Sequence, residues 1–190
     1  MKLSRSLAMS HQLLLPVLQK ARVILDATAG NGKDTLFLAS HAPLCSKMWV
    51  FDVQLQALNN TRRLLDSYGI KMDITYILDS HSHIDWYISQ PIDVITFNLG
   101  YLPGGDHGIC TQSSTTLSAL EKCCHLLASG GFITIVAYPG HPAGREEALS
   151  VESFLQSLNQ RYYTVARWQM INQKNHPPVL YALAKKEGSS

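Results

Sequence analysis

The sequence lacks any long hydrophobic run: none of its apolar stretches approaches the roughly 18–20 residues of a membrane span. Its four cysteines, at positions 45, 110, 123 and 124, lack the Cys-x-x-Cys spacing of zinc and redox motifs. It also lacks a strong charge of either sign, because 16 basic and 14 acidic residues leave a formal charge of +2. These absences argue against a membrane protein, a disulfide framework and a zinc finger, and they favour a cytoplasmic protein with reduced thiols.

Apolar residues, by contrast, are plentiful. Hydrophobic residues make up 46% of the 190 and charged residues 16%, which supports a packed core and excludes wholesale disorder. We expect residues 1–190 to form one domain that begins with a helical segment over residues 1–21. Charge is uneven along it, since residues 161–190 contain five Lys or Arg and a single acidic residue. This basic end is a small indication of a polyanionic partner such as RNA.

Short β-branched runs alternate along the chain with longer segments of helical period. The strand-like runs cover residues 22–27, 47–52, 73–78, 91–98 and 132–138. Two further runs, 162–171 and 177–185, follow each other without a helix and predict an antiparallel pair. The sequence therefore predicts an α/β fold: a doubly wound, Rossmann-like sheet of seven strands, mostly parallel with an antiparallel C-terminal pair, as in methyltransferases.

A glycine-bearing turn, D-A-T-A-G-N-G-K-D over residues 26–34, follows the first strand directly. Gly30 and Gly32 would let the backbone approach a ligand, and the next helix would offer free N–H groups there. Two glycines also occur in many such turns for geometric reasons alone. Asp52 strengthens this indication, since it ends the second strand 20 positions after Gly32. A carboxylate at that place accepts hydrogen bonds from ribose hydroxyls. Together they predict a cofactor that contains adenosine.

The type of cofactor follows from charge and spacing. A dinucleotide fingerprint needs a third glycine where this chain has Thr35, and Asp34 would repel a pyrophosphate. S-adenosylmethionine has no phosphate and carries a cationic amino group and sulfonium, which suit Asp26 and Asp34. We therefore predict S-adenosylmethionine, with a nicotinamide-dependent oxidoreductase as the alternative that NAD binding would reveal.

The third loop reads D-S-H-S-H-I-D over residues 79–85. His81, His83 and Asp85 have the H-x-H-x-D spacing of some dinuclear metallohydrolases, but Trp86 stands where that pattern has another histidine. In a methyltransferase the same position borders the adenine ring. We therefore predict no metal site, and contacts from Asp79, Ser80 and His81 to the base.

The fourth strand ends in N-L-G-Y-L-P-G-G-D-H over residues 98–107, and Asn98 and Tyr101 have the N-x-x-Y spacing of amine methyltransferases. The Asn98 side-chain oxygen would accept the hydrogens of an acceptor amine, and Tyr101 would stack on the ring that bears it. The fifth strand leads into Tyr138, His141 and Arg145, which would face the same crevice, although capping of the next helix explains this loop equally well.

Four segments together resemble a bacterial family long labelled as rRNA methylases, the MnmM or YtqB-like proteins: D-A-T-A-G-N-G-K-D-T-L-F-L-A, F-D-V-Q-x-x-A-L-x-x-T, F-N-L-G-Y-L-P-G-G-D and Y-P-G-H-x-x-G-x-x-E. The resemblance implies a class I S-adenosylmethionine-dependent methyltransferase. It further implies methylation of the 5-aminomethyl group of wobble uridine, often 2-thiolated, in the anticodon region of tRNA. An rRNA or a small-molecule amine remains an alternative acceptor, an RNA-binding module without catalysis is a more distant one, and a homodimer stays open.

Residue by residue, the resemblance places Asn31, Gly32 and Asp34 in the methionine-binding loop and Asp52 and Gln54 at the ribose and adenine. Thr28 replaces the first glycine of the wider motif, and Leu99-Gly100 replaces Pro-Pro. The predicted cofactor-binding residues are Asp26, Thr28, Gly30, Asn31, Gly32, Asp34, Thr35, Asp52, Gln54, Asp79, Ser80, His81 and Asn98. The predicted catalytic residues are Asn98, Tyr101, Asp106 and His141.

Overall fold

The computed structural model describes residues 3–104, 108 and 110–188, and helices alternate with strands along it. The strands are β1 (Val23–Asp26), β2 (Lys47–Asp52), β3 (Asp73–Leu78), β4 (Ile92–Asn98), β5 (Leu127–Ala137), β6 (Tyr163–Trp168) and β7 (Val179–Lys185). The helices are α1 (Ser6–Leu18), α2 (Lys33–His41), α3 (Leu55–Ser67), α4 (Ile84–Tyr87), α5 (Ser113–Leu126) and α6 (Pro142–Ser157), with a 3-10 turn over His81–His83.

The strands form one seven-stranded sheet in the order β3-β2-β1-β4-β5-β7-β6. The first five of these strands run parallel, and β7 pairs antiparallel with both β5 and β6. The predicted fold class is thereby confirmed, including the antiparallel pair at the end of the chain. The strand order reverses between β1 and β4, and ligands of open α/β sheets bind at such a reversal.

Helices cover both faces of the sheet because successive strand residues point to opposite sides. Ile24 of β1 packs in a core with residues of α1, α2 and α3, while its neighbour Leu25 packs in a second core with residues of α4, α5 and α6. Val94 and Ile95 of β4 divide between the same two cores. The continuous apolar runs of β1 and β4 thus build the centre of a sheet that is buried on both faces.

The start of β5 differs from the prediction. The predicted run covers residues 132–138, but the strand already begins at Leu127, directly after α5 ends at Leu126. Leu127 is buried and pairs with Ile92, and the register then shifts before Val94 pairs with Phe132. Pairing with β4 therefore overrides the helical pattern of this segment.

Helix α1 lies within the segment 1–21 and packs against the sheet through Leu14 and Leu18, both fully buried. Two hydrogen bonds join the start of α1 to the region of β6 and β7. Ser6 Oγ donates to the Pro178 carbonyl at 2.6 Å, and Trp168 Nε1 donates to the Ser4 carbonyl at 3.0 Å. Among the described residues, no helix is long and apolar enough to cross a membrane. The docking of α1 brings its polar side chains beside α2.

Candidate active site

A cleft of about 410 Å³ opens at the carboxyl ends of the strands, where the strand order reverses. Its described walls come from the loops after β1, β2, β3 and β4 and from the start of α5. The structure brings together there many of the residues that the sequence predicts for the site: Thr28, Gly30, Asp52, Gln54, Asp79, Ser80, His81, Asn98 and Tyr101. The other described members of the predicted set do not line this cleft: Asp26, Asn31, Gly32, Asp34, Thr35 and His141. Asp106 lies outside the described residues.

The glycine-bearing turn is held from below by Asp26, which is buried. Its carboxylate accepts hydrogen bonds from the Thr28 N–H at 3.1 Å and the Thr35 hydroxyl at 2.6 Å. Burial, with the negative charge of Asp34 adding to it, raises the pKa of Asp26 to about 7. The turn is thus attached to the first turn of α2 by a carboxyl group that does not face the cleft.

Gly32 allows the turn to pack closely on α3. Its φ is +80°, and a Cβ at this position would lie 2.7 Å from the Thr61 Cα. No residue with a side chain fits such a contact with a backbone atom, so Gly32 is required by the packing as well as by its left-handed conformation.

Asp52 links the first two loops. Its carboxylate accepts the Gly30 N–H at 3.0 Å and the Gln54 N–H at 2.9 Å. Burial raises the pKa of Asp52, and these backbone donors lower it in part. A carboxylate fixed by two backbone groups and exposed to the cleft is a rigid acceptor for a ribose hydroxyl.

His81 forms a buried wall of the cleft after β3. It is 7% exposed, and burial lowers its pKa to about 4, so the ring is neutral at pH 7. Its Nε2 is buried without a partner among the described residues, and its ring meets Phe97 edge to face at 5.7 Å. A neutral imidazole with an unpartnered nitrogen suits a polar, uncharged ligand group such as the edge of a base.

The residues of the H-x-H-x-D pattern do not converge. His83 Nδ1 bonds to Asp79 Oδ1 at 2.9 Å, and the His83 ring stacks on Trp86 at 4.1 Å. Asp85 pairs with Lys122 at 2.6 Å. The described residues contain no group of three or more His, Cys, Asp or Glu that is arranged to hold a metal ion.

Asn98, the last residue of β4, lies at the inner end of the cleft. Its N–H donates to Thr28 Oγ1 at 2.7 Å, and its side-chain Nδ2 donates to Asp34 Oδ2 at 3.0 Å. Its Oδ1 is buried and has no partner among the described residues. The side chain therefore offers one unused acceptor atom next to the space where a ligand would lie.

The loop after Asn98 is attached to the rest of the site by polar groups. Leu99 and Leu102 are buried, and the Pro103 carbonyl accepts a hydrogen bond of 3.0 Å from Asn31 Nδ2. Tyr101 is 43% exposed, and its ring centroid is 6.4 Å from that of His141. Asn31 thus joins the first loop to the fourth, and Tyr101 forms an open aromatic surface at the mouth of the cleft.

His141 caps helix α6, as one of the two interpretations of its loop predicts. Its Nδ1 accepts the Gly144 N–H at 3.0 Å. In the neutral ring the proton is therefore on Nε2, which is buried and has no partner among the described residues.

Sequence reasoning missed two supports of the site. His11 of α1 bonds through Nε2 to Asp34 Oδ1 at 2.7 Å. Glu147 is 3% exposed and accepts the hydroxyls of Thr111 and Thr116, each at 2.7 Å, while Thr111 Oγ1 accepts the Gly100 N–H at 2.8 Å. Glu147 ends the last of the four family segments, which is the signal that points to it. No motif in the sequence marks His11.

The donor set of the cleft fits S-adenosylmethionine. No Lys or Arg is among the described residues that line it, whereas Asp52 and Asp79 are, so the cleft favours a cationic ligand over a pyrophosphate. Asp52 and His81, which the sequence predicts to contact the ribose and the base, both line the cleft. The seven-stranded sheet and this cleft at its strand reversal define a class I S-adenosylmethionine-dependent methyltransferase.

Comparison with known proteins identifies the group within that class. The family model described as "Putative rRNA methylase" matches residues 48–184, and the chain belongs to this family. The chain is also 37% identical to the "tRNA (mnm(5)s(2)U34)-methyltransferase, chloroplastic" of Arabidopsis thaliana, over 94% of its own length and 68% of the relative's.

Two solved structures share both fold and sequence with the chain. A putative rRNA methylase from Clostridium thermocellum is 40% identical with a TM-score of 0.94, over 97% of this chain and 100% of that one. A putative methyltransferase from Streptococcus mutans, solved in complex with S-adenosylhomocysteine, is 41% identical with a TM-score of 0.88, over 97% and 99%. The resemblance inferred from the four sequence segments is confirmed.

Proposed function

We propose that this chain methylates the 5-aminomethyl group of the wobble uridine of tRNA, with or without a 2-thio group, to 5-methylaminomethyl. The Arabidopsis relative carries the name of such an activity. In the structure, the proposal rests on Asn98, whose buried Oδ1 is an unused acceptor at the inner end of the cleft. Among possible methyl acceptors, an amine has two N–H bonds and a lone pair. It therefore suits the hydrogen-bond acceptor Asn98 Oδ1 better than a hydroxyl or a ring carbon does.

S-adenosylmethionine, when bound, supplies an electrophilic methyl group. Thr28, Gly30, Asp52, Gln54 and His81 are the described residues that we expect to hold it, because all of them line the cleft. Asn98 Oδ1 would accept one N–H of the substrate amine and so direct the nitrogen lone pair towards the cofactor. Tyr101, at the open mouth, would stack on the uracil ring. Holding both reactants in this way supplies much of the catalysis of a direct transfer.

The amine must lose a proton before it can react, because an alkylamine with a pKa of about 10 is protonated at pH 7. Tyr101, Tyr138 and His141 are described polar side chains near the acceptor position, with Tyr138 hydrogen-bonded to Asn98, and Asp106 remains a further prediction. The Nδ1 atom of His141 is already occupied by the Gly144 N–H. We therefore favour positioning by Asn98 over a dedicated base, with the proton lost to water before the amine enters.

The test uses methyl-labelled S-adenosylmethionine with four acceptors: tRNA bearing 5-aminomethyluridine, the same tRNA transcribed without modification, rRNA, and free 5-aminomethyluridine. After digestion to nucleosides, label in 5-methylaminomethyluridine from the first acceptor alone is the expected result. Label in rRNA, or equal turnover of the free nucleoside, would contradict the tRNA assignment. Label in no acceptor would contradict the whole proposal.

The RNA contact that we infer lies beside the acceptor loop. Of the basic residues at the end of the chain, Arg167 pairs with Glu152 at 2.8 Å and Lys185 donates to the Leu127 carbonyl at 2.8 Å. Arg145 follows His141 by one helical turn and contacts His176 at 2.7 Å. We propose that Arg145 contacts the phosphate backbone near the target nucleotide. We also propose that the protein acts in the cytoplasm and that residues 1–190 form a single domain.

A further inference from the structure

Three side chains form a hydrogen-bonded series from the N-terminal helix to the inner end of the cleft. His11 Nε2 lies 2.7 Å from Asp34 Oδ1, and Asp34 Oδ2 accepts the Asn98 Nδ2 hydrogen at 3.0 Å. The series ends at Asn98 Oδ1, which has no partner among the described residues. His11 is therefore two hydrogen bonds away from the side chain that we expect to receive the substrate amine.

Asp34 decides which way the amide of Asn98 faces. A carboxylate can only accept hydrogen bonds, so the NH₂ group of Asn98 must point towards Asp34 and its oxygen must point away. The negative charge of Asp34 also acts on its surroundings, since it contributes, after burial, to the raised pKa values of Asp26 and Tyr138. With the amide reversed, Asn98 would present two hydrogens to an amine that also carries hydrogens, and the lone pair would not be aimed.

His11 holds Asp34 in the orientation that this arrangement needs. The His11 ring is itself fixed, because it stacks on Phe37 with a centroid distance of 3.8 Å and an interplanar angle of 3°. Its Nε2 faces one carboxylate oxygen of Asp34 and leaves the other for Asn98. Without this donor, the Asp34 carboxylate can rotate, and the amide of Asn98 loses the group that distinguishes its two ends.

We propose that His11 is a positioning residue for methyl transfer, which acts through Asp34 to keep the Asn98 amide oxygen directed at the acceptor amine. This inference rests on the proposed function in one respect, since it takes the acceptor to be an amine. It assigns a role in the reaction to α1, a helix that lies before the first strand of the sheet.

Two substitutions separate the hydrogen bond of His11 from its stacking. His11→Phe keeps a ring against Phe37 and removes the donor, whereas His11→Gln keeps an N–H near the position of Nε2 and removes the ring. We expect His11→Phe to lower kcat on aminomethylated tRNA about tenfold to a hundredfold, with KM for both substrates within about twofold, and His11→Gln to restore most of the activity. Melting temperature and S-adenosylhomocysteine affinity should stay close to those of the unchanged protein.

His41→Phe is the matched control. His41 contacts the same Phe37 ring at a centroid distance of 4.6 Å, and its Nδ1 is bonded to the Phe37 carbonyl rather than to Asp34. The same substitution at this position should leave kcat unchanged. A loss of activity in both histidine variants would show that packing around Phe37 matters and would overturn the role of the His11 hydrogen bond.

A second readout needs no turnover. The side-chain NH₂ signal of Asn98, assigned by its loss in Asn98→Ala, should shift in ¹⁵N-correlated NMR spectra of His11→Phe and remain in place in His41→Phe. An unchanged Asn98 signal, or full activity in His11→Phe, overturns the inference. If the unchanged protein does not methylate the aminomethyl group, the proposed function fails, and the NMR comparison still decides whether His11 orients Asn98.

Discussion

The two halves of the cleft are built differently. The cofactor half, residues 26–35, 52–54 and 79–81, contains several hydrogen bonds between near neighbours: Thr28 to Asp26 and Gln54 to Asp52 are each two residues apart, and Thr35 to Asp26 is nine. It also has a longer one, from Gly30 to Asp52 across 22 residues. The acceptor half, residues 98–104 and 110–111, is held by partners far along the chain. Asn98 bonds to Asp34 across 64 residues, and Thr111 bonds to Glu147 across 36.

This difference separates cofactor binding from methyl transfer. A loop that is stabilised by its own neighbours keeps its shape when distant contacts change. A loop that depends on α1, α2 and α6 loses its geometry when any one of those contacts is removed. Substitutions in the acceptor half should therefore reduce turnover more than cofactor affinity, and substitutions in the cofactor half should do the reverse.

The largest effect is expected for Asn98→Ala. This change removes the unused acceptor atom and should lower kcat about 100- to 1,000-fold, as loss of a preorganised polar group in an active site does. Affinity for S-adenosylhomocysteine, measured by calorimetry, should change less than about threefold, because the cofactor half remains intact. The exposed Asn59→Ala is the control. A parallel loss of cofactor affinity would mean that the two halves are not separable.

The buried carboxyl of the cofactor half should make stability depend on pH. Burial raises the pKa of Asp26 to about 7 from its usual 3.8, so between these values the folded protein keeps a proton that the unfolded chain has lost. This group therefore lowers the free energy of unfolding by about 2–4 kcal/mol as pH rises from 4 to 7, with no further change above.

Urea unfolding of the unchanged protein and of Asp26→Asn from pH 5 to 8 measures this contribution as a difference. The two proteins must be compared because His81 also makes stability depend on pH. Burial lowers the pKa of His81 to about 4, so this group raises the free energy of unfolding as pH rises towards 6.5, opposite to Asp26. Thr35 can reverse its hydroxyl to accept from the new amide, so the fold should persist. Equal pH slopes for both proteins would show that Asp26 titrates normally.

Asp52→Asn should have the opposite profile to Asn98→Ala. It replaces a carboxylate that accepts two backbone N–H groups with an amide whose NH₂ must face one of them. We expect S-adenosylhomocysteine to bind about 10- to 100-fold more weakly, and kcat at saturating cofactor to fall by much less. A larger effect on kcat than on affinity would place Asp52 in the chemical step instead.

Glu147→Gln tests the support of the acceptor half. The carboxylate receives two hydroxyl hydrogens, and a glutamine leaves one of those hydroxyls facing an NH₂ group. We expect a loss of about 1–3 kcal/mol in the free energy of unfolding and a lower kcat with unchanged cofactor affinity. The exposed neighbour Glu146→Gln should behave like the unchanged protein. An effect on cofactor affinity alone would contradict the assignment of Glu147 to the acceptor half.

The smallest effect is expected at the RNA contact. Arg145→Ala should weaken tRNA binding a few-fold and reduce the slope of log affinity against log salt by about 1, as loss of one phosphate contact does. Arg161→Ala, an exposed cation near the start of β6, should leave both quantities unchanged. Weaker tRNA binding and a lower salt slope in Arg161→Ala, with no change in Arg145→Ala, would instead place the RNA contact at the basic end of the chain, residues 161–190.

Much of the cofactor half is predictable from the sequence because its signals are local. Glycines after one strand and a carboxylate after the next indicate a nucleoside site, and parallel strands bring their carboxyl ends to one edge. In the structure, the Gly30 N–H accordingly donates a hydrogen bond to the Asp52 carboxylate. The role of Asp34 is less predictable. Its place in the turn suggests a cofactor contact, whereas both of its oxygens are bonded to His11 and Asn98.

The sheet, its antiparallel ending, the family and the Asn98 loop are predictable from local patterns, because periodicity, glycines and strand ends act over a few neighbouring residues. The orientation of Asn98 depends instead on contacts between distant segments. The burial of Leu14 and Leu18 docks α1 on the sheet and carries His11 to Asp34, and the burial of Glu147 brings α6 to the same loop. These partners are chosen by the packing of apolar faces, which sets distances between segments that no local pattern specifies.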